Sequence, residues 1–97
     1  MLKKEYVKLA DISNVKNFIV SHLKNGHDII VCFNYKKLYN QGNDGGHVSL
    51  VEGVHGDKVY LIDPSGGVRK IVKISSLISA IKVHEKNSGG FWVIREL

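Results

Sequence analysis

Two residue types that cooperate in acid–base chemistry, a histidine and an aspartate, stand at the outer ends of two neighbouring apolar segments. His47 opens the segment 47–54, and Asp63 closes the segment 58–63. A histidine acts as a general base when an acceptor such as a carboxylate holds its other ring nitrogen and fixes the tautomer. The spacing therefore fits two members of a catalytic triad. It also fits a plain hairpin with polar ends, because an aspartate before a proline is ordinary turn chemistry.

Whether these two side chains meet depends on the register of the hairpin that joins the two segments. A three-residue loop at 55–57 places Ser49 opposite Asp63. His47 is then a diagonal neighbour of Asp63 on the same face of the sheet. A two-residue loop at 56–57 shifts the register by one residue and puts the two side chains on opposite faces. The triad hypothesis therefore requires the three-residue loop.

The polar, glycine-rich segment 36–46 comes just before the histidine and is predicted to be a loop. Gly45 and Gly46 leave room for a substrate or for another part of the backbone to approach closely. Tyr35 and Tyr39 flank the loop and are candidates to line a groove, although aromatic side chains that cover the core are the alternative. We take Gly45, Gly46 and Tyr39 as the candidate substrate-binding residues.

A nucleophile is harder to find, because Cys32 is the only cysteine. It lies inside the apolar segment 27–35, which is predicted to be a strand buried on both faces. A reactive thiol needs a lowered pKa from a helix N-terminus or a nearby imidazolium. We therefore expect Cys32 to be a small hydrophobic core residue, and Gln41 to be an ordinary loop residue. One cysteine also excludes an internal disulfide and a cysteine-based zinc site.

The other four histidines are scattered along the chain, at His22, His27, His55 and His84. Metal ligands need converging spacing, such as two histidines four residues apart on one helix. His22 and His27 are five residues apart, across the predicted end of a helix. The sequence therefore predicts no metal site, and it shows no motif for a cofactor.

Hydrophobic periodicity predicts two amphipathic helices. The first covers 12–24 and ends at 25–26, and the second covers 76–86. The candidate N-caps are Asp11 or Ser13 for the first helix and Ser75 or Ser76 for the second.

Short runs rich in β-branched and aromatic residues predict the strands, at 27–35, 47–54, 58–63, 68–74 and 91–97. Tight turns join several of them, which favours antiparallel pairing. We therefore predict one domain over 1–97 of the α+β class, with an antiparallel sheet and two helices on one of its faces.

The chain carries a net charge of +5, but its lysines are spread in ones and twos. This distribution is typical of a solvated surface and does not favour nucleic-acid binding, which would need a clustered basic stripe. No segment approaches 18 consecutive apolar residues, so no membrane span is predicted. The first residues show no secretory pattern. We expect a cytoplasmic protein, or a fragment whose targeting signal lies upstream.

The segment GGHVSLVEGVHGDKVYLIDPSGG, 45–67, resembles the papain-like cysteine peptidases that process the double-glycine leader peptides of bacteriocins. It is also similar to the peptidase-like domains of bacterial transporters and cell-wall proteins. In that family a GH opens a strand, VxGxxGDKVYxxDP follows, and a helix and an aromatic-containing strand close the fold. The corresponding segments here are GH at 46–47, VEGVHGDKVYLIDP at 51–64, the helix near 75–86 and GGFWVI at 89–94. The resemblance covers roughly residues 12–96.

This resemblance implies that His47 is the catalytic histidine and that Asp63 orients it. It also implies the fold of the C-terminal half of a papain-like peptidase and a peptide or leader-peptide substrate. In the family, a preceding helical segment supplies an oxyanion-hole glutamine and the nucleophilic cysteine, and residues 1–11 contain neither. We therefore expect no peptidase activity from this chain alone.

Three explanations of the missing nucleophile remain open. The chain is a fragment of a longer peptidase, or it complements a second chain that carries the cysteine, or it is a non-catalytic relative that binds peptides or a partner protein. Open sheet edges in a half-domain also favour self-pairing, so a homodimer or a heteromer is expected. A small basic nucleic-acid-binding protein is the least favoured alternative, because only net charge supports it.

Overall fold

The apolar segments form one six-stranded antiparallel sheet with three α-helices, which confirms the α+β class predicted from the sequence. The computed structural model describes all 97 residues. The strands are β1 (Leu2–Val7), β2 (Asp28–Asn34), β3 (Gly46–His55), β4 (Lys58–Ile62), β5 (Arg69–Lys73) and β6 (Gly90–Glu96). The helices are α1 (Val15–Lys24), α2 (Tyr35–Tyr39) and α3 (Ile74–Val83), and short 3-10 helices lie at Leu9–Asp11 and Glu85–Asn87. The strands lie side by side in the order β1-β6-β2-β3-β4-β5.

The N-caps of the two long helices differ from those predicted. Asn14 caps α1, because its backbone is extended and its side-chain oxygen accepts a hydrogen bond from the backbone N–H of Asn17 at 2.9 Å. α3 begins at Ile74 directly after β5, with no side-chain cap. The backbone N–H of Ile74 donates instead to the carbonyl of Asp57 at 2.8 Å. None of the four predicted caps is used.

Two elements were not predicted at all. Half of the residues of β1 are charged and its apolar residues do not alternate, yet it pairs along its whole length with β6. α2 is a single short helix inside the segment predicted to be a loop. It forms because the side chain of Asn34 accepts from the backbone N–H of Lys37 at 2.8 Å, and it ends at Asn40, which has a φ of 56°.

α1 and α3 pack on the same face of the sheet, as predicted. Ile19 of α1 and Leu77 of α3 are fully buried in one core cluster with strand residues such as Val31. Burial of each such side chain stabilises the fold by roughly 1.5–3 kcal/mol. We call the side of Val31 the covered face and the opposite side the bare face. On the bare face Val48 and Leu50 remain 43% and 40% exposed.

The two edges of the sheet, β1 and β5, carry several charged side chains in the sequences LKKEYV and RKIVK. Charge on an edge strand discourages pairing with another chain. The edges therefore give little support to the self-pairing that was expected from the sequence. None of the helices is long and apolar enough to cross a membrane.

Candidate catalytic site

The hairpin between β3 and β4 turns in two residues, 56–57, because His55 pairs directly with Lys58. Of the two loops that the sequence left open, the two-residue loop forms, and the three-residue loop that the triad hypothesis requires does not. Gly56 has a φ of 60°, a conformation that glycine adopts without strain and that two-residue hairpin turns require. On its own, this turn would place the candidate histidine and aspartate on opposite faces of the sheet.

A β-bulge at Glu52 restores the register that the pair needs. The pairing shifts between Val51 and Gly53, so Val51 lies opposite Leu61. The bulge thus adds the one residue that the short turn lacks. His47 therefore lies on the same face as the aspartate, although the three-residue loop that the triad hypothesis required does not form.

His47 and Asp63 form a hydrogen-bonded pair on the covered face. Nε2 of His47 lies 2.9 Å from Oδ2 of Asp63, and the two side chains are 24% and 19% exposed. An ionised carboxylate only accepts hydrogen bonds, so the Nε2 of neutral His47 carries the proton and donates it. Nδ1 is then the ring nitrogen with a free lone pair. This is the tautomer that a general base acting through Nδ1 requires.

Both oxygens of Asp63 are occupied. Oδ1 accepts from the backbone N–H of Ser65 at 2.9 Å and from its hydroxyl at 2.7 Å, while Oδ2 faces His47. These hydrogen bonds, those from Ser65 first, lower the pKa of Asp63 to about 2. The carboxylate is therefore ionised at neutral pH. The role of Ser65 was not predicted, although an aspartate two residues before a serine is a known turn pattern that could have indicated it.

Two aromatic rings, those of Phe33 and Tyr35, pack against the imidazole of His47. The ring of Phe33 meets the ring of His47 edge-on at 5.7 Å between centroids, and the ring of Tyr35 does so at 5.0 Å. Phe33 is fully buried, and the backbone N–H of Tyr35 donates to the carbonyl of Gly45 at 3.0 Å. The orientation of the imidazole is therefore set by the core and by the anchored loop.

Two shallow grooves meet at this pair. The first, of about 340 Å³, is lined by Tyr35, Gly42, Asn43, Gly45, Gly46 and His47. The second, of about 270 Å³, is lined by Tyr35, Asp63, Ser65, Gly66, Val68 and Lys70. Tyr35 borders both, so the grooves form one surface that passes over the pair. Such a surface can accept an extended chain more readily than a compact ligand.

The predicted substrate-binding residues have different surroundings. Gly45 is open, because no atom lies within 4 Å of the place where a Cβ would stand. At Gly46 a Cβ would come 2.5 Å from Nε2 of His84, so the missing side chain makes room for the protein's own imidazole. Tyr39 packs against Phe33 and Tyr35, and burial raises its pKa to about 12. Tyr35, and not Tyr39, is the tyrosine that lines the grooves.

Cys32 lies on the bare face, opposite to the pair. It is directly across from Val48, the residue after His47, and neighbouring residues of a strand point to opposite faces. Cys32 is half-buried and not in the core, because the sheet is covered on one side only. Burial raises the pKa of its thiol, which makes it a poorer nucleophile. The sheet therefore separates Cys32 from His47.

His22 and His27 meet, which their spacing did not predict. α1 ends at Lys24 and the chain turns back at Gly26, which has a φ of 78°. The two Nδ1 atoms lie 2.9 Å apart, and burial, followed by the charge of His27, lowers the pKa of His22. No three His, Cys, Asp or Glu side chains of the chain come together in a way that could hold a metal ion.

The chain was compared with protein-family models and with curated proteins. No family model matches it, and no curated protein shows significant similarity to it. What this site does is therefore inferred from its own geometry, above all from the contact between His47 and Asp63.

Proposed function

We propose that this chain is the histidine- and aspartate-bearing part of a papain-like cysteine peptidase, acting on peptides such as leader peptides. The observation that carries the proposal is the 2.9 Å contact between Nε2 of His47 and Oδ2 of Asp63. It leaves Nδ1 as the base, and it joins two residues that the family resemblance assigns to catalysis. The thiol comes from outside these 97 residues, in the same polypeptide or in another chain.

The reaction follows from the pair. Nδ1 of His47 takes the proton of the incoming thiol, and the thiolate attacks the carbonyl carbon of the peptide bond. The imidazolium then gives its proton to the leaving amine, which leaves a thioester. Nδ1 next takes a proton from water, whose oxygen attacks the thioester and releases the acid and the thiol. Asp63 stays ionised throughout and stabilises the imidazolium, because its pKa lies at about 2.

The surface around the pair suits a peptide. Gly45 is open on one side of the pair, because no atom lies within 4 Å of the place where a Cβ would stand, so an extended peptide can approach the main chain closely there. On the other side Lys70 supplies a positive charge near the rim. The ring of Tyr35 lies between the two grooves and can pack against an apolar part of the substrate.

The proposal is tested by ¹⁵N NMR of the imidazole of His47 in its neutral form, at a pH above the end of its titration. In the wild type we expect the Nε2–H tautomer to dominate. Asp63→Asn should reduce its share, because an amide can also donate to the ring and no longer fixes the proton on Nε2. The matched control is Asp57→Asn, a substitution of an exposed aspartate at the turn of the same hairpin.

A wild-type His47 with mixed tautomers, or an Asp63→Asn variant with an unchanged tautomer, would remove the basis of the proposal. Peptide cleavage by the chain alone that His47→Ala abolishes would contradict the part of it that places the thiol elsewhere.

A non-catalytic peptide-binding module is the second candidate, and the position of Cys32 on the opposite face favours it. The two candidates differ in what Asp63 contributes. In a binding module, Asp63→Asn alters peptide affinity only through local contacts, whereas in the peptidase it abolishes cleavage once the thiol-bearing part is supplied and leaves peptide affinity nearly unchanged.

A further inference from the structure

A second surface, away from the His47 grooves, has both an apolar floor and a charged rim. We call it the Ala10 groove. Its larger part, of about 390 Å³, lies between the 3-10 helix Leu9–Asp11 and α3 and is lined by Leu9, Ala10, Ile12, Ser13, Val15, Ile78, Lys82 and Glu85. A smaller part, of about 280 Å³, is lined by Tyr6, Lys8, Ala10, Glu85, Lys86 and Gly89. Ala10 and Glu85 border both parts, so the two are continuous.

The floor of the groove is formed by the core. Leu9 and Val15 are each only 8% exposed and belong to the core cluster, and Ile78 packs against it. A floor made of core side chains is fixed before any ligand arrives, which favours binding. Ala10 is exposed above this floor, and its small side chain keeps the groove open.

The rim is positively charged. Lys8, Lys82 and Lys86 border the groove and none of them forms an ion pair, because the ion pairs of the chain lie elsewhere. Glu85 is the one carboxylate at the rim, and it forms no ion pair either. An acidic ligand would therefore meet unpaired ammonium groups around an apolar surface.

We propose that the Ala10 groove binds a peptide segment in which an apolar side chain is flanked by acidic residues. The apolar side chain covers the floor, and the carboxylates face the lysines. A second copy of this chain fits less well, because it brings a net charge of +5 to a positive rim. Nucleic acid fits less well, because the floor is aliphatic and Tyr6 already donates its hydroxyl to the carbonyl of Gly89. The proposal is independent of the chemistry at His47.

The test is a ¹H–¹⁵N NMR titration with three short peptides: one with a leucine between aspartates and glutamates, one with serine in place of the leucine, and one with lysines in place of the acids. We expect only the first to bind well, with chemical shift changes confined to the residues of the Ala10 groove. Its affinity should fall as salt is added, because exposed charges are screened.

Two variants and a control make the result specific. Ala10→Phe fills the groove, and the double variant Lys82→Glu, Lys86→Glu reverses its charge. We expect each to weaken binding roughly tenfold or more. Lys24→Glu changes an exposed lysine at the end of α1 and should leave affinity unchanged. Equal binding of the basic peptide, shift changes outside the groove, or full affinity in either variant would overturn the proposal.

Discussion

Both faces of the sheet carry apolar side chains, but helices cover only one of them, and that face forms the core. On the covered face, Val31 and Leu61 are completely buried beneath the helices. On the bare face, Leu50 belongs to the same hairpin as Leu61 and is 40% exposed. The candidate dyad lies at the rim of the covered face, where Phe33 fixes the imidazole. Cys32 lies on the bare face, where no helix packs.

The two faces show that the composition of a strand does not determine which of its residues are buried. Both faces of β2 and β3 are rich in aliphatic side chains, so the sequence resembles a strand buried on both sides. The face on which a side chain lies depends on register, and a shift of one residue exchanges the faces. In this hairpin the register of His47 depends on the bulge at Glu52.

The largest effect is expected from deletion of Glu52. Without the bulge, residues 46–51 must exchange faces, which exposes Val51 and moves His47 away from Asp63. We expect the free energy of unfolding to fall by about 2–5 kcal/mol or more, the range that follows removal of one large core side chain. Urea unfolding measures this change. Glu52→Gln keeps the bulge and loses only the ion pair with Arg69, so we expect a change below about 1 kcal/mol. A deletion variant with unchanged stability and an intact His47–Asp63 contact would show that the bulge is dispensable.

A smaller effect is expected from alanine substitutions, one on each face of the sheet, which compare the two faces by their loss of unfolding free energy. Leu61→Ala should lower the free energy of unfolding by about 2–5 kcal/mol, because the fully buried side chain leaves a cavity. Leu50→Ala should lower it by less than about 1 kcal/mol, since the side chain is already partly in water. Both values come from urea unfolding of the same protein. Equal losses would mean that something covers the bare face in solution.

The smallest effect is a pH dependence at the edge of the covered face, where α1 ends. Burial, and then the neighbouring His27, lower the pKa of His22 from 6.5, while Glu5 raises it and Arg95 lowers it. Below pH 6.5 the unfolded chain therefore takes up a proton that the folded chain resists, so stability falls as the pH drops until the folded His22 also titrates.

Melting temperatures at pH 7.5 and pH 5.5 test this dependence. The drop between them should shrink in His27→Gln and shrink further in His22→Gln, because the first removes one cause of the pKa shift and the second removes the titrating group. His55→Gln, a change at the exposed end of β3, is the control and should keep the full drop. An unchanged drop in His22→Gln would assign the acid sensitivity to other groups.

The sequence indicated those parts of the fold that rest on a regular apolar pattern. α1, α3 and the strands from β2 to β6 all have such patterns, and their order was enough for the α+β class. β1 has no pattern of this kind, because its membership of the sheet comes from pairing with β6. α2 is too short for a helical period, and its start depends on one side-chain cap at Asn34.

The sequence selected the two residues of the candidate site, but not the geometry that joins them. Chemistry and family resemblance both selected His47 and Asp63, and the structure brings them into contact. The sequence left the register open between two turns, and it did not show that a bulge at Glu52 would align the pair across the shorter one. Tyr39 was preferred over Tyr35 as a groove residue, because the sequence did not show that α2 turns Tyr35 towards the grooves.

Because of the bulge at Glu52, the face on which His47 lies depends on whether the number of unpaired residues in the hairpin is odd or even. The candidate base and its carboxylate share a face only when the turn and the bulge together contain an odd number of residues. How these residues are divided between the turn and the bulge does not matter. A descendant of this chain could lengthen its turn by one residue, lose the bulge and keep the contact. A single insertion or deletion in either place would move the two side chains to opposite faces, although both residues would still be present in the sequence.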